Sequence, residues 1–519
     1  MGRCVFGRGV LRCVCRWLCG IFGHSQCGTS DGGGAPGIPD RDKLIDRRYA
    51  ARILFRFKPE RRPPYANQVE SFPNKDDQAF FEGLRRQFPG IVLRRALPNS
   101  DEQAIGGLVE LARSRDCTYR QTVDALLYFS ILLPPADPRI EELRKSLTAW
   151  DALEPRSIHV EHAAYQPTPP FDSPAPDGVG GPAARSSVSP ISGAGVAIAL
   201  VERGWVLSEV QGLFPSAEQA GSGTPDPSQK SHCMGVLSLI HTLAPSAKIM
   251  LFSSSFPVTP APPDGSSAPR FELNVMQAIA DVVTALNGAQ LRCGDVVLIE
   301  EQTVNSLTGL YVPMEQKASA FEYIRTATGA GAVVVESAGN YDGTFIGPDE
   351  SPVLEWRNLG DELNSIEGVV DGVDGRSLNP GVSTFRSSGA VVVSAAEGAT
   401  KNGAHERLHT VNYGGRVDCY AWGSDFNPDP GIARTSAASA IVAATAALIQ
   451  CAAMNQVENG GHKRLRPERV VQFLKDGGTP TYPGTPITDP LAPSAVVGTM
   501  PNLAGILSRP TEDWNWWCA

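Results

Sequence analysis

GVAIALVE, residues 195–202, is an unbroken apolar strand that starts at a glycine and ends at a glutamate. Four more stretches share its character: KIMLFSSS (248–255), GDVVLIE (294–300), GAVVVESAG (331–339) and GAVVVSAAEG (389–398). None alternates apolar and polar residues as a half-exposed strand does. Continuous apolar runs predict strands buried on both faces, as in a parallel sheet covered by helices. Helical segments rich in small residues lie between and after them, at 231–243, 273–286, 315–328, 435–453 and 466–477. The pattern predicts a doubly wound α/β domain over 193–510. Such sheets place their active site at the carboxyl ends of the strands.

Upstream, the pattern is different. AARILFRFKP (50–59) and SIHVEHAAY (157–165) read as strands. AFFEGLRRQFPGIVLRRAL (79–97) reads as a helix followed by a strand, and PRIEELRKSLTAWDAL (138–153) as a helix with Ile140, Leu143 and Leu147 on one face. Residues 48–165 are therefore expected to form a small α+β domain. The segment 166–192, rich in Pro, Gly and Ser, reads as an exposed linker of the kind proteases cut. Residues 1–47 read as a basic, cysteine-rich extension or targeting segment, and 511–519 as a C-terminal tail.

Composition narrows the function classes. The chain has 519 residues and a net charge of −9, which argues against a nucleic-acid partner. Eleven cysteines form no CxxC pair, so a zinc ribbon or thioredoxin-type site is not expected, and their odd number excludes complete internal pairing. No apolar run is read as a transmembrane span. No acidic loop supports a specific calcium site, and no cofactor is required by any motif. A nucleotide-binding enzyme is disfavoured because no GxxxxGK[ST] occurs and no GxGxxG follows the first strand.

Four residues recur at strand ends or helix starts: Glu202 after GVAIALV, His232 in SHCMGVLSLIH, Asn340 after VVVESAG, and Ser436 in ARTSAASAIVAATAAL. A serine nucleophile needs a base, the base needs an acid to fix its tautomer, and the oxyanion needs donors. The order acid, His, Asn, Ser supplies one of each. Glu209 and Asp226 are weaker candidates for the acid. Glu300 and Glu301 end a strand beside the expected cleft and are candidates for substrate binding. His405 and His409 are the runner-up bases. Cys233 adjoins His232, but neighbouring side chains on a helix point apart, so the pair makes a poor dyad.

These words resemble those of the subtilisin-like serine proteases, the subtilases. SHCMGVLSLIHTLAPSAKI (231–249) resembles their histidine helix and the turn and strand after it. VVVESAGN (333–340) resembles their oxyanion strand, and ARTSAASAIVAATAAL (433–448) their nucleophile helix. HTVNYGGRVDCYAWG (409–423), GDVVLIEEQ (294–302) and VGTMPNLAGIL (497–507) are similar to further family segments, so the likeness spans most of the chain. The resemblance implies Ser436 as nucleophile, His232 as base, Glu202 in the usual aspartate position and Asn340 at the oxyanion. It also implies a secreted endopeptidase acting on peptides or proteins, with calcium often bound. Residues 48–165 would be its propeptide, blocking the cleft until the linker is cut.

The sequence departs from that pattern at several places. The acid is glutamate, Cys233-Met234 stands for Gly-Thr, Arg434 for glycine and Ala440 for proline, and the loop DFNPDPGIA (425–433) is short. These departures define the alternative reading: a catalytically impaired pseudoprotease of the same fold, acting as a binding module. An α/β-hydrolase esterase would need GxSxG and the order Ser, acid, His, whereas Ser436 comes last.

Overall fold

The computed structural model describes residues 49–67, 71–115, 124–134, 137–161, 191–258, 271–304, 311–340, 345–346, 352–353, 380–381, 383, 385–401, 404–408, 411–424, 432–455, 463–476, 478–480, 498–510, 514 and 517–518. The chain divides into two units, Met1–Asp40 and Arg41–Ala519, and the described residues lie in the second. The extension at 1–47, His409 and nearly all of the 166–192 linker fall outside the described residues.

The large sheet is built on β5 (Ala197–Glu202), with β7 (Lys248–Ser253) and β6 (Glu218–Ala220) on one side. On the other side lie β10 (Val296–Ile299), β13 (Val333–Ser337), β14 (Val391–Lys401) and β16 (Cys419–Trp422). All these neighbours pair in parallel, with Ile198 opposite Ile249 on one edge of β5 and opposite Val296 on the other. The unbroken apolar runs reflect two-sided burial. Ile198 and Leu200 enter one core cluster, while Ala197, Ala199 and Val201 enter another on the opposite face. One face is covered by α5 (Lys230–Leu243) and α8 (Arg434–Asn455), the other by α6 (Val275–Asn287) and α7 (Ala318–Gly329). From β5 the chain builds one half of the sheet and then returns to build the other, so the β5/β10 boundary is the topological switch point where such folds hold ligands.

Upstream lies a smaller sheet of antiparallel strands with helices. β1 (Tyr49–Arg56) pairs antiparallel with β3 (Tyr128–Leu133) and β4 (His159–Glu161), and β2 (Val92–Arg95) pairs with β3. α1 (Lys75–Gln87) and α3 (Ile140–Thr148) close a separate core with Phe55, Phe57, Phe81, Leu143 and Trp150. Asn74 caps α1 by accepting from the N–H groups of Asp76 and Asp77. The domain does not stand apart. β1 also pairs in parallel with β9 (Phe271–Leu273), which pairs with β8 (Ser255–Pro257), so strands of both domains share a sheet. α2 (Glu102–Arg115) packs against α6 and α7, contributing Ile105 and Leu108 to their core.

α8 has 22 residues, and an 18-residue stretch within it has a mean hydropathy of 1.8, enough by length and composition to cross a membrane. Its threonines, serines and glutamine mask this in a plain reading. Thr435 to Ala453 are nevertheless all buried, as in the core helix of a folded domain.

Candidate active site

Glu202 is the last residue of β5, at the switch point, and is fully buried. Its strand ends against a tight crossing: a Cβ on Gly204 would lie 1.7 Å from the carbonyl oxygen of Asp226. Asp226 caps the turn Pro227–Gln229 by accepting from the Ser228 N–H, and α5 starts at once, with His232 in its first turn. Ser436 lies in the first turn of α8. His232 bridges the two: Nδ1 is 2.6 Å from Glu202 Oε2 and Nε2 is 3.2 Å from Ser436 Oγ. With a neutral ring, Nδ1–H donates to the carboxylate and the Nε2 lone pair faces the serine hydroxyl. The second carboxylate oxygen of Glu202 accepts from the Arg203 N–H at 2.7 Å, which fixes the acid.

Burial lowers the basicity of His232, but the charge and hydrogen bond of Glu202, with Glu300 and Glu301 behind it, outweigh that and hold its pKa above the ordinary value. Cys233 is fully buried, and burial beside Glu202 and Glu300 pushes its thiol well up, which makes it a poor nucleophile.

Asn340 follows Gly339, whose φ of 93° is reserved for glycine and whose Cβ would meet the Tyr311 carbonyl oxygen at 2.8 Å. The Asn340 side-chain oxygen accepts from the Thr435 N–H at 3.1 Å and from the Thr435 hydroxyl at 2.7 Å. Its amide nitrogen is thus turned away from Thr435, and its backbone N–H donates to Gln302 Oε1 at 3.0 Å. The Ser436 N–H belongs to a first helical turn, whose N–H groups have no acceptor within the helix.

Glu300 and Glu301 take different places. Glu301 is fully buried, clamps the Arg203 guanidinium through both oxygens and accepts from the Ser254 hydroxyl at 2.7 Å. Glu300 faces α8, where the Ser439 hydroxyl lies 2.8 Å from its Oε1. Burial pushes its carboxyl up to about 8; His232 opposes this, Glu202 adds to it, and the Ser439 and Ser436 hydroxyls oppose it. Glu209 pairs with Lys230 at the surface, His405 bonds the Glu397 carbonyl beside Tyr420 and Trp422, and His241 meets Phe214 edge-to-face. None of the three is among the residues brought together at Ser436. Ser439 and Thr435 are not marked as partners by any motif; their signal is their place one turn after, and one residue before, the nucleophile candidate.

No known family model matches the chain, and no curated protein matches it. Among solved structures it is similar to the epidermin leader peptide processing serine protease EpiP of Staphylococcus aureus, with 12% identity over 88% of this chain and 98% of that one and a TM-score of 0.43. It is similar to a lanthipeptide protease, with 18% identity over 60% of this chain and 86% of that one and a TM-score of 0.38. It is also similar to MycP1 of the ESX-1 type VII secretion system, with 18% identity over 66% of this chain and 89% of that one and a TM-score of 0.40.

Proposed function

We propose that the chain is a serine endopeptidase of the subtilase type, made as a precursor. The observation that carries this reading is the buried relay in which His232 lies 2.6 Å from Glu202 and 3.2 Å from Ser436. Ser436 Oγ attacks the scissile carbonyl as His232 Nε2 takes its proton. Glu202 holds the ring by Nδ1 and balances the imidazolium that forms. The Asn340 amide and the Ser436 N–H stabilise the oxyanion; in such sites a single donor contributes about 3–4 kcal/mol to the barrier reduction. His232 then returns the proton to the leaving amine, and water attacking the acyl-enzyme reverses the sequence.

The substrate is a peptide or protein, and residues 48–165 act as the precursor segment, joined through the cleavable linker. The pseudoprotease alternative rests on the departures from the family words. The glutamate departure is compatible with catalysis, because its longer side chain still reaches Nδ1 at hydrogen-bond distance.

A fluorophosphonate probe tests the reading on the folded chain after cleavage within the 166–192 linker. Labelling is expected in the wild type and abolished by Ser436→Ala. A folded wild type that stays unlabelled overturns the enzyme reading in favour of the binding module.

A further inference from the structure

Tyr49, the first residue of β1, is 1% exposed. It belongs to the N-terminal domain, yet its polar contacts reach the large domain. Its hydroxyl donates to Asp226 Oδ2 at 3.1 Å and lies 3.2 Å from Ser255 Oγ. The Arg203 guanidinium sits 5.2 Å from its ring centroid. Arg203 follows Glu202 and donates its backbone N–H to that carboxylate. Asp226 donates its own N–H to the Arg203 carbonyl at 3.0 Å and caps the turn that leads into α5 and His232. One tyrosine therefore ties the strand end that carries the acid to the turn that sets the base.

We propose that Tyr49 is a positioning residue of the triad, so that the N-terminal domain is a component of the working site and not only a precursor segment. This inference rests on the protease reading and goes beyond it. A propeptide that only blocks the cleft is expendable once cut, whereas a domain that supplies Tyr49 is not.

The physical link is short. The Glu202–His232 bond depends on the register between the end of β5 and the start of α5. Arg203 and Asp226 set that register, and Tyr49 braces both. Burial raises the Tyr49 hydroxyl above the ordinary phenol range; Arg203 and Ser255 oppose this, and Asp226 and Glu301 add to it, so the group remains a donor at neutral pH. Without the hydroxyl, the nearly buried Asp226 carboxylate loses a donor and the turn is less firmly held. The groups that face His232 are Glu202 on β5, Glu300 and Glu301 after β10, and Ser436 on α8.

The test uses the full chain with Tyr49→Phe and, as a second route, Asp226→Asn. Fluorophosphonate labelling rates are measured from about pH 5 to 9, and the His232 ring protons are titrated by NMR in the same proteins. Tyr49→Phe is expected to label roughly 10-fold more slowly, since small misplacements of reacting groups are costly. Both its acidic-limb midpoint and its His232 titration move to lower pH, because the Glu202 bond that raises the imidazole is loosened. A merely structural tyrosine would lower the melting temperature and leave both midpoints in place. Unchanged midpoints in a folded Tyr49→Phe overturn the proposal. If that variant does not fold, Asp226→Asn is read in the same way. If the wild type itself does not label, the protease reading falls, and the NMR midpoints alone decide whether Tyr49 positions His232.

Discussion

Ser439 shows how much turns on a single proton. Its hydroxyl oxygen lies 2.8 Å from Glu300 Oε1, 2.7 Å from the Thr435 carbonyl and 3.1 Å from the Ser436 carbonyl. One hydroxyl proton cannot satisfy three acceptors, but a protonated Glu300 donates to Ser439 and leaves that proton for the helix. The carboxyl pushed up to about 8 agrees with this count. Below that pH Glu300 is neutral. Above it a second negative charge appears beside Ser436 and opposes the oxyanion that forms there. The wild-type labelling rate is therefore expected to rise as His232 loses its proton and to fall again above about pH 8. Glu300→Gln should keep the rate near pH 7 within about threefold and lose the alkaline fall. An alkaline limb that survives the substitution would remove Glu300 from the account. The sign for stability follows from the raised folded-state pKa: the stabilisation is fully present below the carboxyl's unfolded value and is lost as pH rises through about 8. Melting curves on either side of that pH check it. Arg434 carries a different departure. Its backbone sits at φ 62°, the left-handed region suited to glycine. Its N–H is held by the Gly423 carbonyl at 2.7 Å, so arginine keeps a glycine conformation at about 1–2 kcal/mol.

At the scale of elements, the site depends on where β5 stops and α5 begins. Gly204 makes that junction possible, because Asp226 crosses it backbone to backbone. Gly204→Ala would set a Cβ 1.7 Å from a carbonyl oxygen, and no side-chain rotation can relieve that. The expected outcome is a loss of about 3 kcal/mol, readable by denaturant titration, together with slower Ser436 labelling because the Asp226 turn must shift. A variant with wild-type stability would mean that the turn moves freely and does not set His232. The same elements show what the sequence made legible. The parallel strands were readable because two-sided burial leaves an unbroken apolar run, and Glu202, His232, Asn340 and Ser436 because each ends a strand or starts a helix. α2 went unread, since EQAIGGLVELARSR carries two adjacent glycines that weaken its helical signal. β3 went unread, since YFSILL has neither alternation nor a flanking glycine. The partnership of Tyr49 with Asp226 spans 177 residues, and the neutral state of Glu300 depends on burial; no local pattern encodes either.

At the scale of the whole molecule, the C-terminus is stitched into the core. Trp514 is fully buried against Phe473, Trp517 bridges to Leu465, and the Cys518 N–H donates to the Arg464 carbonyl at 2.7 Å. Arg464 in turn pairs with Asp295 at the foot of β10, and a disulfide joins Cys518 to Cys293, closing a separation of 225 residues. In the chain-entropy model a loop of that length removes about 5 kcal/mol of unfolded-state freedom at 25 °C. The bond sits at the amino end of β10, whereas Glu300 and the triad lie at the carboxyl ends of the strands. Stability and chemistry should therefore separate. Cys518→Ser is expected to lower the melting temperature by several degrees, while the labelling rate of the folded protein at 25 °C stays within about twofold. Reductant should destabilise the wild type toward the variant and leave the variant unchanged. A labelling rate that falls along with stability would mean that strain from the carboxyl terminus reaches the Glu300 end of β10, and that the two ends of the sheet do not act independently.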